Sequence, residues 1–353
     1  MRVRMNGSWY VGVDLGTANT LVYTRDKGIT VNEPSVVAYE KSTSEIICVG
    51  TAAERMIGKT PAGIGTVYPL RGGVIADFEF CAEMLCEFLK KGAGLFPGVR
   101  PRVIICVPYG ISEIERRAVL DSATDAGARS VYVFDEPLCA AIGAGLPVLG
   151  SKGCMVVDIG AGTTEIAVIS HGGIVTSDSF KIAGNTLDNA IISYIKQEFN
   201  VLIGEASARD IKEKIGSAHT GSDIGAIEVK GRNMRDGKAA EFVLYSAEVR
   251  EAITESLDSL FEAVRSVLDS TPPELCADIY DSGIMLTGGG ALLGGLDVYL
   301  HERTKLPVMV AERASECVIG GIGKLIRDGA LREKIEKMVI HASDDAMQFP
   351  KIQ

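Results

Sequence analysis

Two stretches of this chain, set 144 residues apart (the difference between 14 and 158), follow one design and limit what the rest of it can fold into. Met155-Val-Val-Asp158-Ile-Gly160-Ala-Gly162-Thr163-Thr164-Glu165-Ile-Ala-Val-Ile169 reads as strand, tight turn, strand, with an acid where the first strand ends. Val11-Gly-Val-Asp14-Leu-Gly16-Thr17-Ala-Asn19-Thr20-Leu-Val-Tyr23 repeats it, Asp14, Gly16 and Thr20 matching Asp158, Gly160 and Thr164 at the same offset. Three matches at one offset mark a duplicated half-domain rather than two chance turns. The small residues at each reversal expose backbone N–H groups, which suit an anion. An aspartate beside a bare phosphate repels it, so Asp14 and Asp158 make sense chiefly with a divalent cation between carboxylate and phosphate. The implied ligand is a magnesium nucleotide.

With 353 residues the chain can hold two ordinary domains, each with its own core. A formal charge of −10 and a pI near 5.1 argue against a broad basic surface for nucleic acid or anionic lipid, so any membrane contact is expected to be apolar. The eight cysteines contain no CxxC and mostly sit in apolar runs, which fits a reduced cytoplasmic setting. No apolar run approaches the ~18 residues that span a bilayer, and the first ten residues are too short and polar for a secretory signal. The expectation is a soluble, intracellular protein.

Along the chain, Met5 and Trp9 belong to a polar lead-in to the first strand, with membrane contact as the other reading. Residues from Gly28 to about Gly73 read as a small inserted subdomain, with strands at 35–39 and 46–49 and a helix at 52–57. Within it Ala53-Glu-Arg-Met-Ile-Gly58-Lys59-Thr60 nearly spells a Walker A loop, but Ala53 stands where the first glycine belongs and the residues before it look helical rather than strand-like, so it is a decoy. Residues 77–91 carry apolar side chains at spacings of three and four, an amphipathic helix. A Gly/Pro loop then holds Leu95 and Phe96, either tucked into the core or presented as an apolar tip. Val103–Val107 is a buried strand and 111–126 a helix.

Val131–Phe134 runs into Asp135-Glu136-Pro137, acids where a buried strand ends, which is catalytic position in such folds and also a helix N-terminus. After the second hairpin come helices at 186–199 and 207–215, a polar stretch 220–240 with one strand, and a long helix at 246–268. Gly283-Ile-Met-Leu-Thr287-Gly288-Gly289-Gly290-Ala291 reads strand, glycine turn, helix, but Leu293 falls where a dinucleotide fingerprint needs its third glycine. Gly320-Gly-Ile-Gly323 is expected to open a helix, and 331–340 to close the chain.

Together, Asp14-Leu-Gly-Thr-Ala-Asn19, Asp135-Glu-Pro137, Asp158-Ile-Gly-Ala-Gly-Thr-Thr164 and Thr287-Gly-Gly-Gly-Ala291 resemble the sugar-kinase, chaperone and actin superfamily of ATPases. Within it the chain resembles the MreB/Mbl family of bacterial actins, over nearly its whole length. The resemblance implies an α/β actin-like ATPase fold: two ribonuclease-H-like halves with a nucleotide cleft between them. The first half would span 1–142 with an insertion at about 30–74, the second 143–319 with an insertion at about 184–243, and helices at 320–353 would return to the first. ATP and Mg2+ are the implied cofactors. Thr17, Ala18 and Asn19 with Gly160, Ala161 and Gly162 would hold the phosphates, while Asp14 and Asp158 would hold the metal through water. Glu136 would orient or deprotonate the attacking water, helped by Thr163. Glu205, Arg209, Asp210, Ile211, Lys212 and Glu213 on one helix, with Gly288, Gly289, Gly290 and Ala291 opposite, would bracket the adenosine.

The implied function is an ATP-dependent filament at the inner face of the cytoplasmic membrane that helps set cell shape. Its partners would be further copies of itself, the membrane through Leu95 and Phe96, and cell-wall synthesis and elongation proteins, with no nucleic acid. The competing readings are a small-molecule kinase, which usually needs larger insertions, and a non-polymerising assembly ATPase. Ala161 and Ala183-Gly-Asn185 depart from the family wording, as does Gly294-Gly295. If Ala161 had to adopt a positive φ, the turn would carry about 1 kcal/mol or more of strain.

Overall fold

The computed structural model describes residues 9–93 and 100–336; Met5, Leu95 and Phe96 lie outside the described residues. Contacts divide the chain into two units, one made of the residues through Ser151, Ile169–Ile174 and those from Glu316 on, the other of Lys152–Val168 and Val175–Ser315.

The first unit is built on a five-stranded sheet in the order Ser130–Asp135, Arg102–Val107, Tyr10–Leu15, Asn19–Thr24, Gly28–Pro34. Tyr10–Leu15 is antiparallel to the strand that follows it and parallel to Arg102–Val107. The second sheet runs Gly173–Phe180, Thr164–Ser170, Cys154–Ile159, Ile284–Thr287, Val308–Val310. Both orders are the same when each is read from the third strand of its hairpin. The duplication visible at two turns therefore extends across two whole sheets.

The central strands are mostly apolar because they are buried on both faces, apart from the acids near their carboxyl ends. In the first unit Val11, Val13, Val103 and Ile105 pack with Met84, Leu85, Phe88 and Leu89, which the helix Phe78–Ala93 presents at its three- and four-residue spacings. Burying each such side chain contributes about 1.5–3 kcal/mol. The opposite face meets the helix Cys317–Arg327, whose Ile322 and Ile326 approach Gly12 so closely that a Cβ there would stand 2.5 Å from Ile322.

That helix corrects one expectation. Gly320 to Gly323 do not open it; they lie in its middle. The reason is a close crossing with the helix Glu136–Ala144: a Cβ at Gly321 would lie 2.0 Å from the Cys139 carbonyl oxygen, and one at Gly143 1.8 Å from that of Cys317. Lys324 Nζ donates to the carbonyls of Ile142 (2.6 Å) and Gly143 (3.1 Å), closing the end of the shorter helix.

The chain leaves the first sheet at Ser35 for a small three-stranded sheet ordered Ile46–Val49, Val37–Glu40, Ile64–Val67. The helix expected at 52–57 is shorter, Thr51–Glu54, because the residues after it pass into turns ending at Gly58 with φ +70°. The Walker-like run lies in this helix and those turns, with Ala53 buried, as a decoy should. In the second unit Val201–Leu202, Ala226–Asn233 and Ala239–Tyr245 form another small sheet. The sequence predicts one strand in this stretch; there is a hairpin, turned by Gly237 at φ +73° and largely exposed, with Phe242 stacked on Phe199 at 4.2 Å. Apolar Val243 and Tyr245 on its exposed face, beside the inward Phe242 and Leu244, blur the apolar alternation that would have announced it. Among the described residues no helix is long and apolar enough to cross a membrane, and no disulfide forms.

Gly321→Ala should lower unfolding free energy by at least the ~1–3 kcal/mol typical of an overpacked core. Gly329→Ala, whose Cβ would meet nothing nearer than 3.8 Å, should change it by no more than about 0.5 kcal/mol. Urea denaturation of the two variants checks this; equal stability would mean that the helix crossing can relax.

Candidate active site

Each hairpin is held so that its carbonyls are taken and its turn is left facing outward. In the first, the carbonyl of Gly16 accepts the Ser35 hydroxyl at 2.7 Å and that of Ala18 accepts the Ser35 amide at 2.8 Å. Thr17 Oγ1 accepts the Gly73 amide at 3.0 Å. In the second, the carbonyls of Gly160 and Ala161 accept the amides of Gly184 (3.0 Å) and Asn185 (2.8 Å), at the start of the helix Gly184–Phe199. Gly160 N also donates to Thr163 O at 2.9 Å, closing the reversal. A Cβ at Gly16 would meet Asn19 O at 2.7 Å and one at Gly160 would meet Thr163 O at 3.1 Å, so the matched glycines fill matched places.

Ala161 is not among the described residues with positive φ, and Ala183 is extended at φ −152°. The strain expected at 161 is absent, and both departures from the family wording sit on backbone that any residue adopts. Gly184 cannot vary as freely, since its Cβ would lie 3.3 Å from the Gly160 oxygen.

The acids stand at the carboxyl ends of parallel strands, where such sheets bind ligands. Asp14 pairs with Cys106, Cys106 with Phe134, and Asp135 with Val107, so Asp14, Asp135 and Glu136 share one edge of the first sheet. Cys106, buried between them, has its thiol pushed well above the ordinary range, first by burial, then by Cys139 and by the charges of Asp14 and Glu136. Burial also raises Asp135, partly offset by Arg116. Glu136, half-buried, is the first residue of its helix, and Pro137 follows at a position that needs no amide hydrogen bond.

Asp158 is 6% exposed and faces Thr287 across paired strands, where the Thr287 hydroxyl donates to its Oδ1 at 2.6 Å. Desolvation pushes its carboxyl up to about 6, with the Thr287 bond drawing it down. A buried carboxylate with one hydroxyl donor suits a cation arriving with the ligand. Among the described residues there is no cluster of three or more His, Cys, Asp or Glu that could cage a metal. That donor set fits Mg2+, which typically binds through one or two carboxylates plus substrate phosphates. Thr287 was legible only as part of a glycine motif; its role comes from strand register, which a linear reading does not supply.

The glycine turn packs on the strand that carries Asp158. Gly288 has φ +80°, and a Cβ there would lie 2.3 Å from Ile159 O; a Cβ on Gly290 would meet Ile159 Cγ2 at the same distance. Gly289 is exposed with open space beside it, and Ala291 is buried. On the helix Glu205–Ile215, Glu205, Asp210 and Glu213 are exposed, Asp210 pairing with Lys214 at 2.8 Å. Ile211 is buried beside Ala208 and Ile215 on the packed face, so its side chain is core. Lys212 Nζ meets Asp188 Oδ1 at 2.7 Å and donates to Gly184 O at 2.9 Å, and Arg209 lies 3.9 Å from the same carboxylate. Lys212 thus braces the helix start that holds the second hairpin. The loop after this helix is joined to the glycine turn by Ala218 N donating to Gly294 O at 2.7 Å.

The family model for the MreB/Mbl protein matches residues 8–334. The chain belongs to the MreB/Mbl family. It is 48% identical over 321 residues to the cell shape-determining protein MreB of Escherichia coli K12, covering 90% of this chain and 92% of that one. It is 47% identical over 318 residues to the cell shape-determining protein Mbl of Bacillus subtilis, covering 90% and 95%. Among solved structures it is similar to MreB5 of Spiroplasma citri bound to AMPPNP, with TM-score 0.88 and 36% identity over 94% of this chain and 99% of that one. A MamK double helical filament matches in fold, with TM-score 0.77 and 24% identity over 91% and 99%. As a member of the MreB/Mbl family the chain has the actin-like ATPase fold that its residues led us to expect.

The raised carboxyl of Asp158 has a consequence for the nucleotide-free protein. The fold holds this proton more tightly than the unfolded chain does, so its contribution to stability is full below 3.8 and is lost as pH rises through about 6. Asp158→Asn should therefore be more stable than the unsubstituted chain at pH 7, by at most on the order of 3 kcal/mol, with the gap narrowing by pH 5. Calorimetry at both pH values checks it; equal melting at pH 7 would mean the carboxylate is not desolvated.

Proposed function

We propose that this chain is an ATP-hydrolysing bacterial actin that forms filaments at the inner face of the cytoplasmic membrane and helps set cell shape by organising cell-wall synthesis. The observation that carries this reading is the matched pair of aspartate-bearing hairpins, each with its carbonyls tied back. The AMPPNP-bound relative at 36% identity supports a nucleotide as the ligand. The names of the relatives at 47–48% identity support a cell-shape role.

In this reading the amides around Thr17, Ala18 and Asn19 and around Gly160, Ala161 and Gly162 bind the phosphates of one ATP. Asp14 and Asp158 would hold Mg2+, which would offset the negative charge of the phosphates when bound. Glu136 orients or deprotonates the attacking water, with the Thr163 hydroxyl assisting. Glu205, Arg209, Asp210, Lys212 and Glu213, the backbone at Ile211, and the turn Gly288 to Ala291 flank the adenosine. Hydrolysis is slow and linked to assembly with further copies of the chain.

Glu136→Ala should keep ATP bound and slow phosphate release by about 10²–10⁴, the usual contribution of a positioned base or water-orienting group. Release within a factor of two of the unsubstituted protein would remove Glu136 from the reaction.

Leu95 and Phe96 supply the membrane contact in this proposal. Burying both contributes roughly 3–6 kcal/mol before entropy losses, too little for one copy, and a net charge of −10 opposes anionic lipid. A filament presents many such pairs, so attachment should depend on assembly. The double variant Leu95→Ser, Phe96→Ser should keep ATP turnover and assembly but no longer sediment with liposomes. Unchanged sedimentation would assign the anchor elsewhere, Met5 and Trp9 being the next candidates.

A further inference from the structure

We propose that Ser35 is a positioning residue for the first phosphate hairpin, and that affinity for MgATP depends on it although it lies outside the phosphate-binding turn. The proposal rests on the reading that this hairpin binds phosphate.

Ser35 is fully buried and makes three hydrogen bonds, all to one hairpin. Its amide takes the Ala18 carbonyl at 2.8 Å, its hydroxyl donates to the Gly16 carbonyl at 2.7 Å, and the Thr20 hydroxyl lies 2.9 Å from its oxygen. A serine hydroxyl has one proton. Since Gly16 O receives it, Thr20 must donate to Ser35, so the chain of bonds runs Thr20 to Ser35 to Gly16 in one sense only. Fixing two carbonyls on either side of Thr17 fixes the peptide planes between them, and so the directions of the amides at Thr17, Ala18 and Asn19.

The second hairpin solves the same problem differently. Gly160 O and Ala161 O are held by two backbone amides at a helix start, and Thr164, the counterpart of Thr20, is bonded directly to the Ile182 carbonyl. Backbone donors survive every side-chain substitution except proline. In the first hairpin one of the two holds is a single side-chain proton, so this half of the site alone can be loosened by removing one atom. Nothing else in the motif Asp14 to Asn19 reveals it, because Ser35 lies beyond the third strand, where the chain turns sharply after Pro34 with Val36 N donating to Pro34 O at 2.9 Å.

The experiment compares Ser35→Ala, Ser35→Cys and Ser170→Ala in steady-state MgATP hydrolysis, with melting temperatures measured without nucleotide. Ser170 is a matched control: a buried serine whose hydroxyl donates to a backbone carbonyl, that of Ser151, at 2.9 Å. Leaving a buried carbonyl unpaired typically costs enough to shift an equilibrium by about tenfold or more. Ser35→Ala is expected to raise KM for MgATP by at least about tenfold while kcat at saturation stays within about threefold. Ser35→Cys, which keeps a weak donor, should fall between it and the unsubstituted protein. Ser170→Ala should lower the melting temperature by a similar amount but leave KM unchanged. If Ser35→Ala does not fold, the Cys variant carries the same test. An unchanged KM in the Ser35 variants, or an equal rise in Ser170→Ala, would overturn the proposal. An unsubstituted protein that shows no saturable MgATP binding would overturn the underlying reading first, an outcome distinct from either.

Discussion

A backbone reversal that turns its amides toward an anion must find partners for its carbonyls elsewhere, because a buried peptide oxygen left without a donor costs about as much as a hydrogen bond gains. Most of this structure can be read as the answer to that requirement. In the first unit the donor is Ser35, and the strand Gly28–Pro34 ends, and the small insertion beyond it begins, where that donor has to stand. In the second unit the donors are Gly184 and Asn185, and the helix they start is braced in turn by Lys212 through Gly184 O. The two turns are short, but they are only as rigid as these supports.

The duplicated sheets also show how two copies of one frame come to carry unlike groups. Strand register puts Cys106 beside Asp14 and Thr287 beside Asp158, so equivalent places carry a buried thiol and a hydroxyl donor. Thr287 is fully buried and bonds Asp158 at 2.6 Å, which steadies a carboxylate that burial otherwise pushes toward its neutral form. Asp14 is half-buried and sits in a row with Asp135 and Glu136. One copy thus carries a single acid bonded to a hydroxyl and the other a row of three acids, a difference that the shared motif conceals.

How far the sequence could be read follows from where each element is anchored. The hairpins, the central strands, and the helices Phe78–Ala93 and Ser246–Asp269 were legible because one or both faces are buried and the pattern is local. Gly28–Pro34, Gly173–Phe180 and Ala239–Tyr245 were not, since strands with mixed or exposed faces lose the alternation that marks them. The candidate site divides the same way. Asp14, Asp158 and Glu136 stand out because an acid ending an apolar strand is a visible local anomaly. Ser35 and Thr287 act through partners 19 and 129 residues away, and only strand register and packing bring them there.

Gly320 to Gly323 were the most misleading residues, and the reason bears on how Glu136 is seated. Glycines read as helix starts or stops when only conformational freedom is considered. Here they are mid-helix because two backbones cross with no room for a Cβ between Gly321 and Cys139 or between Gly143 and Cys317. Interior glycine costs helix stability, ~1 kcal/mol each relative to alanine, so close packing has to offset it. The helix Glu136–Ala144 is only nine residues long and marginal by itself. It carries an acid in its first turn, a buried Pro137, and the Lys324 ammonium on its last carbonyls, each matched to the helix dipole or to its unpaired ends. A short helix pinned along its length by a glycine crossing and at its end by a lysine cannot rotate without separating both contacts. Glu136 therefore leaves the sheet edge from a base fixed by packing on Cys317–Arg327, a segment some 180 residues away in the chain by the Lys324 to Ile142 separation of 182.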